Sequence, residues 1–357
     1  MKTLALDAAA PSTAAAVPRV TAHPYRVLGA YRFLLASLVL VSHASGFLPG
    51  FVGPLALGNV GVLLFFVVSG FVISEALDIF YRRSTTKFLL NRALKIYPAY
   101  LAAVPVAYAA RLWAGETADW SPFGIAVNLG LLPAYLPHGN TLLVISVAWA
   151  VIVECQFYLL AAAAFATTRL LPRMPVLPLA AAASLILYLW VWRSGAQARF
   201  YGAFQFAPFF ILGALLYFRL ARGDARLSLP AAVAFLLAVH AYFGYNARGL
   251  AAGPSFHVTA STAIFITVFL LMVGLTTLRA SRAAERIDKR LGDLTYALYL
   301  VHPSVIFAVI TLHLGNSAAF GLTVAASFAL AVLIRILVER PIVRLRNSLR
   351  GYQLYDR

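Results

Sequence analysis

Two ionisable side chains, Arg32 and His43, stand in the apolar stretch YRFLLASLVLVSHASGF, which runs from Tyr31 to Phe47. On a helix, eleven positions at about 100° each bring both side chains to nearly one face, about 16 Å apart along the axis. An imidazole exchanges protons near neutral pH, and a guanidinium binds anions. The spacing suits one elongated internal cavity for a charged ligand. The alternative is that Arg32 only extends its charge to the lipid headgroups.

Other ionisable side chains lie near the middle of predicted membrane helices, where each charge costs about 2.5–3.5 kcal/mol. Glu154, in SVAWAVIVECQFYLL, is expected to be neutral or paired with a cation such as a protonated histidine or Arg32. His302, in LTYALYLVHPS, shares a helix face with Thr295 and Tyr299 by i, i+4, i+7 spacing. This spacing predicts a polar stripe in which His302 orients a neighbour or binds substrate.

Two further segments each have a structural and a functional interpretation, and one residue pair has a structural one. The segment over residues 58–77 carries four small residues that allow helix packing or ligand approach, namely Gly58, Gly61, Ser69 and Gly70. STTKFLLNRALKIYP, over residues 84–98, is basic and amphipathic with a serine N-cap. It predicts an interfacial connector on anionic lipid or an anion-binding lip. Arg335 and Glu339 predict an ion pair at the end of a helix.

Composition indicates a membrane protein. The 357 residues are 62% hydrophobic and 11% charged, with a mean hydropathy of +0.84, whereas soluble domains are about one quarter charged. The net charge of +17 is spread over short loops, so nucleic acid is not an expected partner. The single cysteine excludes a disulfide framework and a thiolate metal cluster.

The hydropathy pattern predicts an all-α polytopic membrane protein with a bundle of about ten transmembrane helices. The ten stretches cover residues 28–48, 60–80, 97–114, 143–167, 176–193, 203–219, 229–246, 259–278, 293–314 and 319–338. Most of the 29 Lys and Arg fall in alternate loops and in both tails, which predicts a cytoplasmic N-terminus and C-terminus. We expect one membrane domain over 25–346, with a disordered tail over 1–24 and a short tail over 347–357.

Six segments, taken in order, resemble the blocks of the acyltransferase 3 family of integral-membrane acyltransferases. Arg32 and His43 match the family's signature of Arg, ten residues and His. GNVGVLLFFVVSGFVIS resembles the second-helix block, and WAVIVECQFYLL places Glu154 on the family's acidic position. FLLNRALKIYPAY has Arg92 and Lys95 where the family usually has two arginines, and lysine lacks the forked contact. LTYALYLVHPSV and VERPIVRL complete the series.

This resemblance implies transfer of an acyl group, most often acetyl, from cytoplasmic acyl-CoA to a hydroxyl of a carbohydrate or glycoconjugate. The residues' own chemistry and predicted depth then lead us to predict three sets of residues: catalytic His43, Glu154 and Ser69, donor-binding Arg32, Arg92 and Lys95, and acceptor-binding Tyr158, Tyr299 and His302. Acetyl-CoA is the expected cosubstrate, and no metal is expected. The expected location is the bacterial inner membrane, among membrane lipids, with homo-oligomers left open. The chain resembles the form of the family without an appended esterase-like domain.

Two chemical schemes fit the implied roles. In the first, His43 is a general base for the acceptor hydroxyl, Glu154 stabilises the imidazolium, and Ser69 or the backbone near Gly70 stabilises the oxyanion. In the second, His43 carries the acyl group as a covalent intermediate. The alternatives from other classes are a proton-coupled transporter, which would also bury Arg, His and Glu in the membrane, and an accessory protein of a polysaccharide synthase.

Overall fold

The computed structural model describes residues 27–81, 84–116, 121–131, 143–170, 176–194, 203–222, 235, 237–240, 242–243, 254–278 and 280–349. Every regular element in these ranges is a helix. The helices are α1 Gly29–His43, α2 Leu57–Glu75, α3 Thr85–Trp113, α4 Pro122–Gly130, α5 Ala148–Leu170, α6 Val176–Ser194, α7 Ala203–Arg222, α8 Pro254–Thr277, α9 Arg282–Ile310, α10 Asn316–Ile334 and α11 Arg340–Leu349. The all-α class is therefore confirmed.

Six helical segments in the described ranges are long and apolar enough to cross a membrane. They cover Gly53–Phe80, Thr85–Trp113, Ala148–Thr168, His257–Thr277, Arg282–Ile310 and Asn316–Leu349. Gly29–His43, Leu179–Trp190 and Gln205–Leu220 are shorter apolar helices. The predicted span at 229–246 lies largely outside the described residues, so ten spans and cytoplasmic termini stay predictions.

The basic segment at 84–98 does not form a separate connector. The Ser84 side chain accepts from the backbone N–H of Lys87 at 3.1 Å, as an N-cap does. The helix then continues past Pro98 and Pro105 to Trp113. One long helix therefore carries Arg92 into the protein interior, where its side chain is buried.

Contact between α1 and α9 sets the relative position of the helices that carry His43 and His302. Both carboxylate oxygens of Asp288 on α9 accept from the start of α1, from the N–H of Gly29 at 3.0 Å and of Ala30 at 2.6 Å. These are N–H groups that a helix cannot satisfy internally. A Cβ on Gly292 would lie 2.7 Å from the Cα of Gly29, so only glycines allow this approach. The tight contact fixes the register of α1 on α9.

A second pair of glycines joins α2 to α7. A Cβ on Gly70 would lie 1.8 Å from the carbonyl oxygen of Phe210, and a Cβ on Gly213 would lie 1.9 Å from that of Val67. Gly70 therefore serves helix packing, and its side faces α7 instead of a ligand. Phe66 stacks on Phe210 at 4.7 Å between ring centroids, which continues the same interface.

Candidate active site

The side chains of His43 and His302 meet at the end of the bundle where α1 ends. His43 Nδ1 lies 2.8 Å from His302 Nε2, and the two rings stack at 14° with centroids 5.1 Å apart. His302 is fully buried, and its Nδ1 lies 3.2 Å from the carbonyl oxygen of Leu298. His43 is the last residue of α1 and is exposed. The sequence did not show which side chain His302 contacts, and this contact identifies it as His43.

The hydrogen bonds of this histidine pair define one arrangement of protons for neutral rings. A carbonyl oxygen only accepts, so His302 Nδ1 carries a proton and donates it to Leu298. In a neutral ring the other nitrogen then accepts, so His302 Nε2 receives the proton of His43 Nδ1. His43 Nε2 is consequently left with a lone pair. An imidazole held in this way can take a proton from a hydroxyl.

A cleft between α1, α2, α5 and α9 lies on the Arg32 side of the histidine pair. Its lining residues are Arg32, Val62, Phe65, Phe66, Ser69, Ala150, Val151, Glu154, Thr295, Tyr296 and Tyr299. The cleft therefore brings together four of the sequence-predicted site residues. Its far end is adjacent to the histidines, because the Tyr299 ring meets the His302 ring edge to face at 6.0 Å. The polar stripe expected on α9 is thus present.

Glu154 accepts hydrogen bonds from two hydroxyl groups. Its Oε1 accepts from the Ser69 hydroxyl at 2.6 Å and from the Tyr158 hydroxyl at 2.7 Å. Neither of these partners is His43, which bonds to His302 instead. Glu154 and Arg32, one of the cations named as its possible partner, both line the cleft, and a role of Glu154 toward the His43 imidazolium stays a hypothesis. Ser69 also donates its only proton to Glu154, so it has none for an oxyanion in this state.

Tyr158 and Tyr299, both expected to contact the acceptor, hold the protein together in this structure. Tyr158 is buried outside the cleft, where it meets the Phe88 ring at 6.0 Å and donates to Glu154. The Tyr299 hydroxyl donates to the carbonyl oxygen of Val147 at 3.0 Å, so only its ring lines the cleft. His302 likewise contacts His43 and is not among the cleft residues. Its orienting role, one of the two alternatives, agrees with this geometry.

Four cations on three helices form what we name the basic cluster: Arg32, Arg92, Lys95 and Arg346. Arg92 and Lys95 lie three residues apart on α3, Arg32 lines the cleft, and the backbone carbonyl of Arg346 accepts from Asn91, next to Arg92. The Arg92 guanidinium lies 5.2 Å from the Phe88 ring centroid and 5.6 Å from that of Tyr158, and its Nε has no hydrogen-bond partner among the described residues. Such a cluster can hold a multiply charged anion. Among the described residues, no group of three or more His, Cys, Asp or Glu can hold a metal ion.

Sequence reasoning did not include Arg346 in this cluster. The signal in the sequence is the short basic run RPIVRLRNSL after the last apolar stretch, which forms the amphipathic helix α11. Helical periodicity in the sequence does not show which other helix this segment packs against. Arg335, by contrast, forms the expected ion pair with Glu339, with Nε 3.9 Å from Oε2, and also pairs with Asp293.

Comparison with known proteins agrees with the motifs. The family model described as an acyltransferase domain, acyltransferase 3, matches residues 28–338. The exopolysaccharide production protein ExoZ of Rhizobium meliloti (strain 1021) is 27% identical over 309 residues, which cover 81% of this chain and 90% of ExoZ. BcsY of Komagataeibacter xylinus, provisionally assigned as a membrane-bound transacylase, is 26% identical over 348 residues, with 88% and 82% covered. No solved structure matches the chain. The chain belongs to the acyltransferase 3 family.

Proposed function

We propose that this protein is a membrane O-acyltransferase that moves an acetyl group from acetyl-CoA to a hydroxyl of an exported polysaccharide. The hydrogen-bonded His43–His302 pair carries the proposal, because it leaves a lone pair on the exposed imidazole. ExoZ is named for exopolysaccharide production, which supports a polysaccharide as acceptor. We place the enzyme in the bacterial inner membrane with its donor site on the cytoplasmic side.

His43 Nε2 takes the proton of the acceptor hydroxyl as the hydroxyl oxygen bonds to the thioester carbonyl carbon. The carbon–sulfur bond then breaks, and the CoA sulfur leaves with the proton that His43 holds. During this exchange, His43 Nδ1 keeps its bond to His302, which fixes the ring in the geometry that the transfer needs. His302 is thus a positioning residue.

Donor binding is assigned to the basic cluster and the cleft. The phosphates of acetyl-CoA are anionic and would meet Arg92 and Lys95, three residues apart on α3, and Arg32, which lines the cleft. The pantetheine arm carries little charge and suits the apolar walls of the cleft. Because the cleft ends at Tyr299, next to His302, the thioester approaches the histidine pair from the Arg32 side.

Glu154 is assigned a positioning role in this scheme. One of its carboxylate oxygens accepts from Ser69 of α2 and from Tyr158 of α5. The bond to Ser69 joins α5 to α2 in the wall of the cleft. Its Oε2 makes no hydrogen bond among the described residues and belongs to a side chain that lines the cleft. An amide N–H of the pantetheine arm is a suitable donor for that oxygen.

Transfer can be tested with purified protein in liposomes, ¹⁴C-acetyl-CoA and a purified exopolysaccharide. We expect labelled, base-labile acetyl esters on the polymer with wild type and none with His43→Ala. A wild-type protein that moves a solute across the liposome without using acetyl-CoA would establish the transporter alternative. Retained polymer modification with His43→Ala would establish the accessory role.

The covalent scheme is separated by rapid quenching of enzyme and labelled acetyl-CoA without acceptor. We propose direct transfer and expect no label on the protein, since the acceptor must be present for the carbon–sulfur bond to break. Label that stays on wild type and is absent from His43→Ala would replace direct transfer with an acyl-histidine intermediate.

A further inference from the structure

One side of α2 forms a wall of the cleft. Its cleft residues follow one another at helical spacing and are Val62, Phe65, Phe66 and Ser69. The start of α2 lies beside the end of α1, because a Cβ on Gly58 would lie 2.9 Å from the Ser42 hydroxyl oxygen, and Ser42 precedes His43. Phe65 is one helical turn closer to that start than Ser69. Phe65 therefore lies on the histidine side of this wall.

The rings of Phe65 and Tyr299 meet at the histidine end of the cleft. Phe65 comes from α2 and Tyr299 from α9, and their rings lie edge to face at 69° with centroids 6.0 Å apart. The Tyr299 ring in turn meets the His302 ring, also at 6.0 Å. Phe65 and Tyr299 line the cleft, whereas neither His43 nor His302 is among its lining residues. The two aromatic rings therefore separate the cleft from the histidine pair.

These two rings are held in different ways. Tyr299 is buried, and its hydroxyl donates to the carbonyl oxygen of Val147 at 3.0 Å, so its ring is fixed at both ends. Phe65 is only half-buried, and its ring has no polar atom, so packing alone holds it. A thioester whose phosphates stay at the basic end enters the cleft with its acyl group leading. That acyl group must pass the Phe65 ring before its carbonyl carbon reaches His43.

We propose that Phe65 is a specificity-determining residue, which together with the fixed Tyr299 ring admits an acetyl group to the histidine pair and excludes wider, branched acyl groups. This inference rests on the proposed function and adds the residue that selects the acyl group. In isobutyryl, two hydrogens of the acetyl methyl group are replaced by methyl groups, so the chain is widest next to the carbonyl carbon. Forcing extra carbon atoms past packed rings displaces side chains, and one methylene changes kcat/KM about 10–200-fold in an apolar site.

The test is a competition between acetyl-CoA and isobutyryl-CoA for one purified exopolysaccharide, with the protein in liposomes. Either donor would give an ester on the polymer and release CoA as its thiol, and mass spectrometry of the esters gives the ratio of the two kcat/KM values. We expect wild type to prefer acetyl by at least about tenfold. Phe65→Ala should lower this preference about tenfold, and Phe65→Leu should lower it less.

The matched control is Phe269→Ala on α8. Phe269 is also half-buried but is not among the residues that line the cleft, so this variant should keep the wild-type ratio. Loss of a merely structural side chain would lower both kcat/KM values in proportion, and an unchanged ratio in Phe65→Ala overturns the inference. If Phe65→Ala does not fold, an unchanged ratio in Phe65→Leu overturns it in the same way.

Wild type alone supplies a further outcome that needs no variant. Equal use of the two donors by wild type would overturn the role of Phe65 and leave the proposed function standing. Wild type that transfers no acetyl group from acetyl-CoA would instead contradict the proposed function itself.

Discussion

The two ends of the cleft satisfy their polar groups in opposite ways. At the histidine end, a continuous chain of hydrogen bonds runs from His43 through His302 to the Leu298 carbonyl. At the basic end, Arg92 is buried against aromatic rings and lacks a carboxylate partner among the described residues. A chain that is complete within the protein fixes the orientation of a ring. Arg92, which meets aromatic rings and no carboxylate among the described residues, can receive an anion that comes from outside.

This difference separates chemistry from donor binding along one helix. Arg32 and His43 lie about 16 Å apart on α1, and α1 is held in register by the contact of Gly29 with Asp288. Variants at the histidine end should lower kcat, whereas variants at the basic end should raise the KM for acetyl-CoA.

Loss of the base should have the largest effect. We expect His43→Ala to lower kcat about 10²–10⁴-fold, the usual contribution of general base catalysis, while CoA binding is retained. Steady-state transfer and equilibrium CoA binding check this. The control is His313→Asn, which removes an exposed imidazole just beyond α9 at a position with φ of 48° that asparagine tolerates. Equal losses in both variants would contradict a specific role for His43.

Removal of the positioning histidine should have the second largest effect. His302→Ala deletes a hydrogen bond to a ring that is charged in the transition state, so kcat should fall about 10–100-fold. His302→Gln offers an amide oxygen to His43 Nδ1 and should recover part of the rate. A merely structural role would instead lower thermal stability and leave the pH profile of kcat unmoved. The double variant should be no worse than His43→Ala, because the pair acts as a unit.

Particular residues show how far the sequence could lead. The face shared by Arg32 and His43, and the stripe of Thr295, Tyr299 and His302, follow from helical period alone. Helix period does not give the rotation of one helix against another. The contact between His43 and His302 depends on the close approach of Gly29 and Gly292, which no local pattern encodes.

Depth was the other quantity that the sequence could not supply. Glu154 was expected near the middle of a membrane helix, with a protonated histidine or Arg32 as possible partners, and its bonds to Ser69 and Tyr158 were not predicted. The helix that carries Arg92 begins earlier than its apolar residues do, at Thr85. Polar helix ends that run into an apolar span hide the true start from hydropathy.

A change at the basic end should be smaller than either histidine change. Arg92→Ala should raise the KM for acetyl-CoA about tenfold through loss of a charge-assisted contact, with kcat within a factor of two or so of wild type. Lys87→Ala on the same helix, an exposed lysine of equal charge, is the matched control. A fall in kcat at unchanged KM would place Arg92 in the chemical step.

The smallest effect is expected at the carboxylate between the two ends. Glu154→Gln keeps an oxygen that accepts from Ser69 and Tyr158 but removes the charge, so kcat/KM should fall roughly two- to tenfold. Ser69→Ala and Tyr158→Phe should each lower kcat/KM less in the Glu154→Gln background than in wild type, because both hydroxyls bond to the same Glu154 oxygen. Additive effects would show that the Ser69 and Tyr158 bonds act independently of Glu154.

The most direct test of separate ends is a paired measurement on His43→Ala and Arg92→Ala, with CoA dissociation constants and acetyl-transfer kinetics from the same preparations. We expect His43→Ala to bind CoA like wild type and barely transfer, and Arg92→Ala to bind CoA about tenfold more weakly and keep its kcat. If both variants lose CoA binding and turnover in the same proportion, the division of the cleft into a binding end and a chemical end is contradicted.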